Sequence, residues 1–94
     1  MELYDYIFLP QIIEKLERKH NVKKHEVLEV LETSKNFRFV EKGNHQNENV
    51  YVALGRTYAG RYLIVFFIYK EDKTALILSA RDMDNAERKK YAKK

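Results

Sequence analysis

From Tyr62 to Tyr69 the chain reads Tyr-Leu-Ile-Val-Phe-Phe-Ile-Tyr, a run with no charge, no glycine and no proline. Branched and aromatic side chains favour a pleated strand, and an apolar run without alternation predicts a strand covered on both faces. The run is far shorter than the roughly 18 residues that suggest a membrane span. The chain must therefore supply a sheet around this strand and layers to cover it. Glu71-Asp72-Lys73 predicts a hairpin turn into a second apolar strand, Thr74 to Ala80, which delivers Arg81 to a short basic helix ending near Tyr91.

Other elements follow from the same spacing rules. Val50 to Gly55 alternates, with Val50, Val52 and Leu54 on one face; Phe37 to Val40 is a short strand, and Leu3 to Leu9 an edge strand. Gly60 closes a tight connection from Arg56 to Arg61. Pro10 suits the first turn of a helix running to His20, with Ile12, Ile13 and Leu16 as its apolar stripe and Glu14, Lys15, Glu17 and Arg18 towards water. Asn21 accepts the left-handed conformation that ends many helices, and Val22 folds back on the preceding turn. A second helix, about Lys23 to Thr33, repeats the pattern with Val27, Leu28 and Leu31. Asp84 and Glu87 have capping-box spacing ahead of a third helix, about Asn85 to Lys93. The expected architecture is α+β, an antiparallel meander of about five strands with two helices ahead of it and one behind.

With 94 residues, one proline and no cysteine, residues 1–94 are expected to form one domain that folds on packing alone. A formal charge of +4 and a pI near 9.3 favour RNA, DNA or an acidic protein surface as partner, without choosing among them. The acidic start Met1-Glu2-Leu3 lacks the basic region of a secretion signal, and a cytoplasmic protein without membrane contact is the expectation. Gly43-Asn-His-Gln-Asn-Glu-Asn49 reads as a polar loop within the domain, and its His45 carries no role. His20 and His25 lack the i, i+4 spacing of a helical zinc pair, so no metal site is expected. No glycine-rich phosphate loop or dinucleotide fingerprint points to a cofactor.

Four blocks stand in a telling order: Lys19-His20-Asn21-Val22 before the helix from Glu26 to Leu31, then Ala53-Leu-Gly-Arg-Thr57 with Gly60-Arg61, then Leu78-Ser-Ala-Arg81-Asp-Met83, then Glu87-Arg88-Lys-Lys-Tyr91. Their order and spacing resemble the BrnT family, whose blocks read approximately Lys-His-Gly-Val, Gly-Arg-Thr with Gly-Arg, Ser-Ala-Arg and Glu-Arg-x-x-Tyr. The resemblance runs from about Leu16 to Tyr91. It implies a RelE-like fold and a type II toxin, a small ribonuclease that blocks translation and is neutralised by a ribbon-helix-helix antitoxin, in a heterocomplex with the antitoxin dimer. BrnT-like chains usually open with an aromatic-Trp-Asp block and carry Lys and Asn on the first helix. Aligned on His20, this chain has Phe8, Leu9, Ile12 and Leu16 at those places. The exchange leaves two other readings open: a non-catalytic partner-binding module of the same fold, and a small sequence-independent RNA-binding protein.

Metal-independent RNA cleavage needs a base near the 2′-hydroxyl, an acid near the leaving oxygen, and cations around the phosphate. Arg81 and Arg61 are the candidate phosphate cations, because a guanidinium forms bidentate contacts that a lysine does not reproduce. Arg81 equally suits Asp84 or Glu87 as an ion-pair partner at the strand-to-helix junction. Tyr91 is the candidate acid or base by comparison with tyrosines near the ends of RelE-like toxins, or else an anchor packing the last helix on the sheet. His20 is the alternative base, or a favourable residue at its helix C-terminus. Arg56 and Arg61 flank a hairpin tip carrying Tyr58, which suits base stacking or an antitoxin landing site. Lys19, Arg88 and Lys90 are further candidate RNA contacts, or part of a solvated basic face.

Overall fold

A computed structural model describes residues 1–43 and 48–93; the stretch around His45 and the final Lys94 lie outside the described residues. The elements are β1 (Asp5–Ile7), α1 (Pro10–His20), α2 (Lys24–Thr33), β2 (Asn36–Glu41), β3 (Asn49–Arg56), β4 (Tyr62–Tyr69), β5 (Thr74–Asp82) and α3 (Asn85–Ala92). The fold is α+β, with one sheet in the order β1-β5-β4-β3-β2. The apolar run is its central strand, paired antiparallel with β3 and β5 on either side.

β1 corrects the all-antiparallel expectation. It pairs parallel with β5, Asp5 opposite Thr74 and Ile7 opposite Leu76, so the sheet is mixed. Parallel neighbours need a crossover. Here that crossover is all the chain between the two strands, which no local spacing reveals.

α1 begins with Pro10 where a missing N–H costs nothing, and ends at Asn21, whose φ of 51° is left-handed. Val22 then donates its N–H to the Leu16 carbonyl at 3.1 Å and is fully buried. Lys15 departs from its expected place in water: its Nζ donates to the Leu78 carbonyl at 3.1 Å. Leu78 is the extra residue where the β4–β5 register shifts, and a bulge leaves its own ladder groups free for such a partner.

The strands alternate between two faces. Leu63, Val65, Phe67, Ala75, Ile77 and Ala80 point to the helix side, where they pack with Ala53 against Leu16, Val22, Val27, Val30 and Leu31. Gly55 permits the close approach of α2 to β3, since a Cβ there would lie 3.2 Å from Val30 Cγ1. On the other face Val52, Leu54, Ile64 and Met83 form a smaller cluster with Tyr62, Phe66 and Tyr91. α3 closes one end of that face and buries none of its own residues. Asp84 accepts from the Glu87 N–H and Glu87 from the Asp84 N–H, the predicted capping box. No helix among the described residues is long and apolar enough to cross a membrane.

Candidate functional site

The β3–β4 connection is a tight turn that fixes two side chains at the end of the sheet. The Thr57 N–H donates to the Arg61 carbonyl at 2.8 Å, and the Gly60 N–H to the Thr57 carbonyl at 2.9 Å. Gly60 has φ of 95°, which side-chain-bearing residues rarely adopt. The turn brings Arg56 directly opposite Tyr62. Their side chains emerge on the α3 face, where the Arg56 guanidinium lies over the Tyr62 ring at 4.8 Å. Arg88, from the first turns of α3, lies over the same ring at 4.3 Å. Tyr91, one turn further, meets Tyr62 edge-on at 5.9 Å and 85°. Among the described residues neither Arg56 nor Arg88 has a carboxylate partner. A cavity of about 340 Å³ opens beside them, lined by Gly60, Arg61, Tyr62, Asp82, Met83 and Arg88.

Arg81 stands on the same sheet face, opposite Ile64 and over the Phe66 ring at 5.6 Å. Its guanidinium forks onto Glu87 at 2.8 and 2.9 Å and also donates to the Asp82 carbonyl. That fork holds the Glu87 carboxyl below its ordinary pKa and raises that of Arg81.

Arg61 turns towards the helix side. Its Nε and Nη2 fork onto Asp82 at 2.7 and 3.1 Å. Nη1 donates to the Asn21 carbonyl at 2.6 Å and to Glu26 at 3.2 Å, and Nη2 also to the His20 carbonyl at 3.0 Å. All five N–H donors are used. The guanidinium therefore ties the α1 C-terminus, the start of α2 and the end of β5 together. The Asp82 carboxyl is held below its ordinary pKa by the Arg61 hydrogen bonds, with a smaller contribution from the nearby His20.

The structure thus gathers Arg56, Arg88 and Tyr91 around Tyr62, with Arg81 further along the same face. Arg61 shares the cavity but spends its donors on the helix side, where His20 also lies. Tyr58 is 74% exposed at the hairpin tip, its N–H bound to Glu29, and Lys19 and Lys90 are exposed. Tyr62 is the central residue that sequence reasoning did not assign. Its cross-strand position opposite Arg56, across a short hairpin, was the available signal.

A small α+β domain with a cationic and aromatic cluster at one end of its sheet is the class that fold and site define. The chain belongs to the family described as ribonuclease toxin, BrnT, of type II toxin-antitoxin systems, which it matches over residues 13–87. Membership implies a ribonuclease toxin with an antitoxin partner. No curated protein matches the chain. Phe8, Leu9 and Ile12 precede the matched stretch. Phe8 and Ile12 pack against the helix-side core, and Leu16 is inside it.

Proposed function

We propose that this chain is a metal-independent endoribonuclease that blocks translation, binds RNA phosphate on Arg56 and Arg88, uses the Tyr91 phenol in proton transfer, and is neutralised by a ribbon-helix-helix antitoxin in a heterocomplex. One observation carries the reading: two guanidinium groups with no carboxylate partner among the described residues lie over one tyrosine ring, with a second tyrosine edge-on to it. In such cleavage the 2′-oxygen attacks phosphorus, the bond to the 5′-oxygen breaks, and a proton passes from the 2′-hydroxyl to the leaving oxygen. Negative charge builds on the non-bridging oxygens, where arginine N–H donors fixed in advance lower the barrier. Tyr58, exposed at the hairpin tip, offers a ring face on which a base stacks. Arg81 acts by holding Glu87, and so α3, in place beside the phosphate. Arg61 acts by fixing the cavity wall. His20, close enough to Asp82 to affect its charge, is the second proton acceptor to test. Lys19 and Lys90 add long-range attraction for RNA.

The test is RNA cleavage by the purified chain in excess chelator, repeated with Arg88→Ala, Tyr91→Phe, His20→Ala and Arg81→Ala, alongside growth and protein synthesis in cells expressing the chain alone. Cleavage in chelator that falls about 100-fold or more in Arg88→Ala supports the reading, the usual scale for removing one charge-stabilising donor. Cleavage that appears only with added divalent metal refutes it.

A second reading is favoured by a different observation. Arg61 and Arg81 are both engaged by the chain's own carboxylates, and Ile12 and Leu16 of α1 belong to the core packing where BrnT-like chains carry polar residues. A partner-binding module with no nuclease activity accounts for both. It predicts harmless expression, no cleavage of any RNA and undiminished antitoxin binding.

A further inference from the structure

The two sides of the sheet are finished differently. On the helix side Leu63, Val65, Phe67, Ala75, Ile77 and Ala80 are sealed completely. On the α3 side Val50, Phe66, Ile68 and Leu76 stay half-open, and Ile7 is 38% exposed. The strand registers set Ile7, Leu76, Ile68 and Val50 in one row across four strands, with Phe66 and Val52 paired in the next row on this face. A contiguous apolar strip of this kind marks an interaction surface rather than ordinary scatter. Arg81 over Phe66 marks its border, and beyond it the buried cluster of Val52, Leu54, Ile64 and Met83 separates it from Arg56, Tyr62 and Arg88 on the same face. At the far end Asp5 on β1 and Glu41 on β2 flank the apolar row, Lys70 there is paired with Glu48, and Arg38 on β2 stands opposite Val52.

We propose that this open sheet face is the docking surface of the antitoxin, received as an amphipathic helix whose apolar stripe lies along β4 and whose carboxylate-bearing end covers Arg56 and Arg88. The assignment rests on the toxin reading above and names the place where its partner binds. Charge decides the orientation. Arg56 and Arg88 lack carboxylate partners within the described chain, so an acidic helix end supplies what they lack, while Asp5 and Glu41 repel it from the opposite end. From Tyr62 to Ile68 the β4 strand beneath this face is about 20 Å long at ~3.3 Å per strand residue. A helix of about 13 residues spans it. RNA is the poorer occupant of the strip itself, because its phosphates would meet bare apolar side chains and then Asp5 and Glu41. The helix end that neutralises Arg56 and Arg88 also removes them from RNA, so docking and inhibition become one event.

The test measures affinity for the antitoxin encoded with this chain, in parallel with RNA cleavage by the chain alone. Ile7→Glu and Ile68→Asp each place a carboxylate in the apolar row, outside the proposed phosphate site. Both are expected to raise Kd by about 30-fold or more, the scale of an uncompensated charge in an interface, and to leave cleavage unchanged. Ile7 is exposed enough that Ile7→Glu folds, and it decides the matter if Ile68→Asp does not. Unchanged Kd in a folded variant overturns the assignment. So does a wild-type chain that is dimeric alone and becomes monomeric with Ile7→Glu, since a second copy would then cover the face. Loss of antitoxin affinity in a chain that cuts no RNA supports the docking surface and rejects only the nuclease.

Discussion

Replacing Arg61 by alanine separates a structural arginine from a phosphate-binding one. The substitution removes a fork onto Asp82, a contact to Glu26, and two hydrogen bonds to carbonyls at the end of α1. The Asp82 side chain is 63% exposed, so its ion pair contributes under about 1 kcal/mol. Glu26 is only 17% exposed and keeps just the Lys23 N–H after the change. Together with the two carbonyls it accounts for the larger share, each contact being worth about 1 kcal/mol net and less where water takes the vacated place. The expected loss is about 2–3 kcal/mol, or a Tm lower by roughly 10–20 °C in a domain of this size. Urea unfolding at pH 7 measures it. Arg61→Lys keeps the charge without the fork and recovers less than half. Acid adds an independent check. The Asp82 carboxyl titrates below its ordinary value of 3.8 because Arg61 binds its charged form. Its contribution is therefore present above that value and is lost as pH falls through the lowered one. Arg61→Ala should accordingly flatten the loss of stability below about pH 4, while above about pH 5 its curve runs parallel to wild type. A loss under about 1 kcal/mol, with cleavage reduced about 100-fold, would refute this reasoning and put Arg61 on the substrate.

The other expected outcomes concern the open face and its turn. Arg56→Ala and Arg88→Ala each weaken RNA binding and lower the slope of log K against log salt by about 1, while stability falls by no more than about 1 kcal/mol from the lost ring contact; binding titrations from low to moderate salt and urea melts measure both. Gly60→Ala costs roughly 1–2 kcal/mol because φ of 95° suits glycine alone, and the added Cβ would press on the Arg56 guanidinium at 3.2 Å. Chemical denaturation reads that cost. Asp84→Ala removes the cap from α3 at about 1 kcal/mol, and hydrogen exchange should show α3 amides opening while those of β4 stay protected.

Strands, helices and turns were largely legible because each rests on neighbours in sequence. Pro10, Asn21 and the Asp84–Glu87 pair fixed helix ends by local hydrogen bonds, and the apolar run from Tyr62 fixed the central strand. β1 was read as an edge strand, but its parallel pairing escaped because its partner is the last strand, and Lys15 escaped because its acceptor exists only where β5 bulges. Site chemistry was less legible for the same physical reason. Arg56, Arg61, Arg81 and Arg88 are chemically alike in sequence, and what distinguishes them is who neutralises them. Glu87 lies six residues from Arg81 and belongs to the next element, so that pairing was among the readings spacing allowed. The partners of Arg61 lie 21 and 35 residues away, on β5 and α2, beyond any local rule.

Alternation in β3 and β4 then decides which arginine stays available. Leu63 and Val65 must face α1 and α2 to seal the core, which fixes Tyr62 and Ile64 on the opposite side. Arg56 follows, because it is paired across the hairpin with Tyr62. On that side the covering helix is short, its Glu87 carboxylate is taken by Arg81, and among the described residues Arg56 and Arg88 are left with an aromatic ring in place of an acid. A ring holds a cation loosely, by about 0.5–1 kcal/mol at an exposed site, so a phosphate or carboxylate can displace it readily. The same packing that buries one face therefore produces cations on the other that await an anionic partner. Shifting β4 by one residue would exchange the two faces and remove both the core and the site.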